Sequence, residues 1–174
     1  MGNSFFTYIQ RLELIGFFAG YPLLYALIVF AANKQIRDIF KNRLVSILPL
    51  SYALVGTLYL GLQIKNLYLS QTINNINNPF LMGWALLAIL FWLPSFRKKE
   101  WWSLLHSLAF FFLLVKDIIM QFSSSADEHI LKNDMKIYTV SLLLNLGCFI
   151  FLLLFSFIIC PNKKGANSNS FHLF

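Results

Sequence analysis

Five runs of apolar residues dominate the chain, and each is close to the length of a membrane-spanning helix. A bilayer core about 30 Å thick takes roughly 20 apolar residues in α-helical form, within a range of about 17 to 25. The runs at about Leu14–Ala32, Leu44–Ile64, Phe80–Phe96, Trp101–Phe122 and Ile137–Cys160 meet that length. The connections between them are too short for a soluble domain, which needs more than about 40 residues to build its own core. Only 12% of the 174 residues are charged and 58% are hydrophobic, where a soluble domain carries about a quarter charged residues. The expectation is an all-α integral membrane protein. Residues 1–160 form one domain of five transmembrane helices, and residues 161–174 form a polar tail.

Loop charge orients the bundle. Lys34, Arg37, Lys41 and Arg43 follow the first run, Arg97, Lys98 and Lys99 follow the third, and Lys163 and Lys164 follow the fifth. With five spans these segments share one side and hold nine basic residues, against four (Arg11, Lys65, Lys132 and Lys136) on the other. The positive-inside rule then puts the N-terminus outside and the C-terminus in the cytoplasm. The first basic segment reads as a short interfacial helix, because Ile36, Ile39, Phe40 and Leu44 share a face with the basic residues on its other sides. Lys34, Arg37, Lys41 and Arg43 are therefore candidate contacts to anionic lipid. Thirteen asparagines form no Asn-x-Ser/Thr acceptor, and the sequence is rich in Ile, Phe, Asn and Lys. Both features point to a bacterial inner membrane. The first run carries no good cleavage site after Val29-Phe30-Ala31, so it reads as a retained span.

Small residues mark candidate packing faces. Gly16 and Gly20 form a GxxxG in the first run, and Ala53, Thr57 and Gly61 form an i, i+4, i+8 stripe in the second. Such residues let neighbouring helices approach closely. Pro22 and Pro49 are expected to kink their helices. Ser125 and Glu128 form a capping box, which predicts a helix beginning there and running into the fifth span.

The sharpest feature is Lys116-Asp117 inside the fourth run. An ionisable residue within a span costs roughly 2.5–3.5 kcal/mol at the helix centre and is a functional hypothesis by default. Asp117 shares a helical stripe with His106, about 16 Å away along the axis. Ser141, Asn145 and Cys148 form a polar face on the antiparallel fifth run, at depths that allow a Lys116, Asp117, Ser141 and Asn145 cluster. Three readings stay open for the pair. Lys116 snorkels to the interface, or the pair joins helices or subunits, or it belongs to a proton or ion relay. Cys148 and Cys160 lie about 18 Å apart on one helix, too far to form a disulfide.

The basic residues flank apolar runs and form no continuous basic or aromatic face, so nucleic acid is excluded as a partner. No nucleotide, metal or catalytic signature is present, and no cofactor is expected. Ser103 and His106 are spaced i, i+3 near one end of the fourth run, but a lipid-acting enzyme would also need an orienting acid and oxyanion donors. The leading expectation is a non-enzymatic integral subunit of a larger membrane complex, contacting lipid and other membrane subunits. The alternative is a small homo-oligomeric transporter or channel that uses the Lys116/Asp117 region.

Overall fold

The computed structural model describes residues 11–35, 38–70, 79–123 and 128–159, and among them there is helix and no strand. Helix α1 covers residues 11–18, α2 is Tyr21–Gln35 and α3 is Asp38–Ser70. Helix α4 is Pro79–Leu86, continued by a 3-10 helix at Leu87–Trp92 and the short α5 at Pro94–Arg97. Helices α6 (Glu100–Ser123) and α7 (Glu128–Ile159) complete the bundle. Four helical stretches are long and apolar enough to cross a membrane: Arg11–Phe30, Leu44–Tyr68, Glu100–Met120 and Met135–Ser156. The apolar stretch Pro79–Trp92 is shorter.

Each departure from the expected boundaries has a local cause. The first rod is interrupted at Ala19-Gly20, one turn ahead of Pro22. A proline in a helix removes an amide donor and crowds the preceding turn. In the basic segment after it, residues 33–35 close α2 and residues 38–43 open α3, while residues 36 and 37 and the side chains of the segment lie outside the described residues. Helix α3 continues through Pro49, and the Ser51 hydroxyl donates to the Leu48 carbonyl at 2.8 Å. Helix α7 is one rod of 32 residues, Glu128–Ile159, and Ser125 of the expected capping box lies outside the described residues.

Aromatic rings fill the centre. Phe18 is fully buried, with its ring 4.8 Å from Phe110, 5.4 Å from Tyr59 and 5.6 Å from Tyr52 between centroids. Tyr21 lies 4.5 Å from Tyr52. Such ring pairs contribute about 0.5–1.5 kcal/mol beyond the area they bury. The contacts also set directions. Glu13 meets Gln63 and Asn66, while Phe18 and Tyr21 meet Tyr59 and Tyr52, so the first rod runs antiparallel to α3. Ser103 meets Tyr21 and Asp117 meets Arg11, so α6 also runs antiparallel to the first rod.

The polarity is inverted relative to a water-soluble bundle. On α7, Ser141 and Asn145 face inward with Cys148, Phe149 and Leu152, while Leu143, Phe151, Leu154 and Ile158 are exposed. Ser51, Ser103, His106 and Ser107 are buried likewise. A helix whose solvent is hydrocarbon turns its polar side chains toward its neighbours.

Candidate functional site

The polar side chains inside the bundle fall into three groups. The first surrounds His106 on α6. Its Nε2 is 2.8 Å from the Trp84 carbonyl oxygen and its Nδ1 is 2.7 Å from the Tyr52 hydroxyl. A carbonyl can only accept, so in the neutral imidazole Nε2 carries the hydrogen and Nδ1 accepts from Tyr52. The ring stacks on Trp84 at 4.9 Å and 6°, and Phe91 and Phe110 stand at 6.1 and 5.8 Å. One turn earlier, Ser103 donates to the Glu100 carbonyl at 2.8 Å, which leaves its oxygen to accept from the Tyr21 hydroxyl at 2.9 Å. Ser103 and His106 thus bond to different partners, and the spacing that suggested a nucleophile and base produces two structural joints. Between His106 and the outer surface lies an apolar cavity of about 270 Å³, walled by Trp84, Phe91, Phe96, Trp102 and Leu105 among others.

The second group ties α7 to the first rod. The Gly20 amide donates to Ser141 Oγ at 2.6 Å. Asn145 Nδ2 donates to the Phe17 carbonyl at 3.1 Å and to the Ser141 carbonyl at 2.7 Å, and its Oδ1 is buried with no partner among the described residues. This contact needs a glycine, because a Cβ on Gly20 would stand 2.7 Å from Leu142 N and from the Ser141 carbonyl carbon. Closeness of backbones sets that requirement.

The third group is ionic. Arg11 pairs with Asp117, the side chains being 39% and 22% exposed. Two residues along, Glu13 accepts from Gln63 and Asn66, each at 3.4 Å. Lys116 is exposed on the next position of α6. The expected four-residue cluster is therefore divided. Ser141 and Asn145 are brought together against Gly20 and Phe17, Asp117 goes to Arg11, and His106 belongs to the tyrosine and tryptophan group.

The small-residue faces are divided in the same way. Gly20 is in tight contact, whereas a Cβ at Gly16 would meet nothing within 4 Å. Ala53 is fully buried, but Thr57 and Gly61 are exposed, so the stripe is no packing face along its whole length. Thr57 instead accepts from the Trp92 indole at 2.9 Å and donates to the Ala53 carbonyl at 2.9 Å. The close approach on α3 is at Gly56, where a Cβ would stand 2.8 Å from Ala88 Cβ. The side chains of Lys34, Arg37, Lys41 and Arg43, and the tail 161–174, lie outside the described residues.

Sequence reasoning missed Arg11, Gly56, Tyr21, Tyr52 and Trp84 as members of these groups. Arg11 was legible as the basic residue nearest the start of the first apolar run, at the same end of the bundle as Asp117. Among the described residues no three His, Cys, Asp or Glu side chains converge as a metal-binding group would. In comparisons with protein-family models, curated proteins and solved structures, the chain matched none.

Proposed function

We infer that the protein is a non-enzymatic multi-pass membrane protein that serves as an integral subunit of a larger assembly in a bacterial inner membrane. The observation carrying this reading is that most of the described polar groups within the bundle are spent on its own helix–helix joints. Tyr21 meets Ser103, His106 meets Tyr52 and the Trp84 carbonyl, Ser141 meets Gly20, and Arg11 meets Asp117. A catalytic base or a relay carboxylate needs an uncommitted face toward substrate or water, and these groups are turned toward one another. The apolar outer surface of α7 suits lipid or a neighbouring membrane helix.

The reading includes five crossings, with the N-terminus outside. Pro79–Trp92 is 14 residues, but eight residues at 1.5 Å and six at about 2.0 Å reach roughly 24 Å. Ala88 lies against Gly56 and Phe91 lies 5.7 Å from Tyr52, a sequence of contacts that descends α3 in the antiparallel sense. Five alternating passes also give the nine-to-four division of basic residues between the two sides.

The test is affinity purification of the full chain in mild detergent, followed by mass spectrometry and native sizing. Stoichiometric recovery of other integral membrane proteins is expected. A particle containing this chain alone overturns the subunit reading and directs attention to flux measurements in proteoliposomes.

A further inference from the structure

The cavity beside His106 and the basic turn next to it make one continuous site. Phe96 and Trp102 both line the cavity, and between them in the chain run Arg97, Lys98 and Lys99, all exposed. The turn is held in place by backbone hydrogen bonds, from Arg97 N to the Leu93 carbonyl at 3.1 Å, from Lys99 N to the Phe96 carbonyl at 3.2 Å and from Trp102 N to the Lys99 carbonyl at 3.0 Å. Lys99 Nζ stands 5.8 Å from the centre of the Trp102 ring, so one cation sits over an aromatic wall of the cavity. Even with Glu100 beside it, the run Arg97–Glu100 carries a net charge of two positives.

The interior of the cavity offers hydrocarbon and aromatic surface, with Leu105 66% and Trp102 52% exposed at its open side. His106 has both ring nitrogens committed to Tyr52 and to the Trp84 carbonyl, and the Trp84 indole donates to the His106 carbonyl. Leucine side chains with phenylalanine and tryptophan rings make up the rest of the wall, so the cavity suits a saturated chain, and the neighbouring charge is on the exposed turn. We propose that this is a binding site for an anionic phospholipid, with one acyl chain in the cavity of about 270 Å³ and the phosphate held by Arg97, Lys98 and Lys99.

The experiment is native mass spectrometry of the full chain released from nanodiscs containing equal amounts of phosphatidylglycerol and phosphatidylcholine. Retention of the anionic lipid is expected to exceed that of the zwitterionic one by on the order of tenfold. The Arg97→Gln/Lys98→Gln/Lys99→Gln variant should bring the ratio to about one, and Leu105→Trp, which fills the open side, should lower retention of phosphatidylglycerol. Lys65→Gln/Lys136→Gln removes two exposed basic residues elsewhere and should leave the preference intact. Equal retention of both lipids by the unaltered protein overturns the proposal, as does a preference that survives the triple substitution. Displacement of the lipid by millimolar inorganic phosphate overturns the acyl-chain part, since it would mean that the basic turn binds anions without the cavity.

Discussion

Gly20→Ala tests the tightest helix contact in the bundle. The added methyl would stand 2.7 Å from Leu142 N and the Ser141 carbonyl carbon and 2.8 Å from Leu142 Cα, all of them backbone atoms that no rotamer change can move. Restoring an ordinary separation of about 3.5 Å requires the first rod and α7 to part by roughly 0.8 Å. The Gly20–Ser141 hydrogen bond would lengthen from 2.6 to about 3.4 Å, and the Asn145–Phe17 bond from 3.1 to about 3.9 Å, the second out of range. Overpacking costs typically 1–3 kcal/mol, and an interhelical hydrogen bond in a membrane contributes about 0.6 kcal/mol on average. Against this, replacing glycine by alanine removes freedom from the unfolded chain, worth roughly 0.4–1 kcal/mol. The expected net destabilisation is about 2 kcal/mol. Gly16→Ala, inside α1, brings at least that gain with nothing within 4 Å to collide with, and should be neutral or stabilising. Unfolding by SDS titration from mild detergent, followed by tryptophan fluorescence, measures both. Equal stability of the two variants would refute the reasoning. So would rescue of Gly20→Ala by Ser141→Ala, because the clash is with backbone and not with the serine side chain.

Further expectations follow from the other joints. Gly56→Val should destabilise by about 1–3 kcal/mol by pushing Ala88 off α3, while Gly61→Val, in open space, should change little in the same titration. His106→Phe strands the buried Tyr52 hydroxyl and should cost about 1–3 kcal/mol, with most of the loss recovered in the Tyr52→Phe/His106→Phe double variant; equal stability of single and double variants contradicts the bond. Asp117→Asn should cost less than about 1 kcal/mol, since the pair is partly exposed, and Arg11→Asp/Asp117→Arg should restore what is lost; a larger, unrestored loss would place Asp117 in another role. In a background without Cys148 and Cys160, Tyr68→Cys and Ser123→Cys should react with impermeant maleimide from the outside and Ser95→Cys from the cytoplasmic side, and labelling of the Tyr68 and Ser95 positions from the same side would overturn the five-span reading.

The long helices were readable because hydrocarbon length is written directly as apolar residues; α3 and α6 enclose the second and fourth runs, and α7 covers the fifth as far as Ile159. Hydropathy carries no information about rise per residue, which is why the 3-10 winding of Leu87–Trp92 could not be anticipated. The inward polar face of Ser141 and Asn145 was legible from its spacing. Its partners were not, because they are the amide of Gly20 and the carbonyl of Phe17, and backbone groups look alike in every sequence. Asp117 stood out as an ionisable residue in a span, but its counter-ion is 106 residues away, a separation that helix periodicity does not bridge. Gly16 and Gly61 drew attention through spacing alone; which glycines touch a neighbour is decided by the rotation of whole helices.

The 3-10 winding couples two quantities that are independent in a plain α-helix. Rewinding Leu87–Trp92 to α geometry would shorten the segment by about 3 Å and, at roughly 20° per residue, turn its far end by about 120°. That rotation would carry the Trp92 indole away from Thr57 and the Phe91 ring away from Tyr52 and His106. The length of this segment and the seating of its aromatic rings therefore move together, so any force that shortens the segment would unlatch the aromatic wall as it does so.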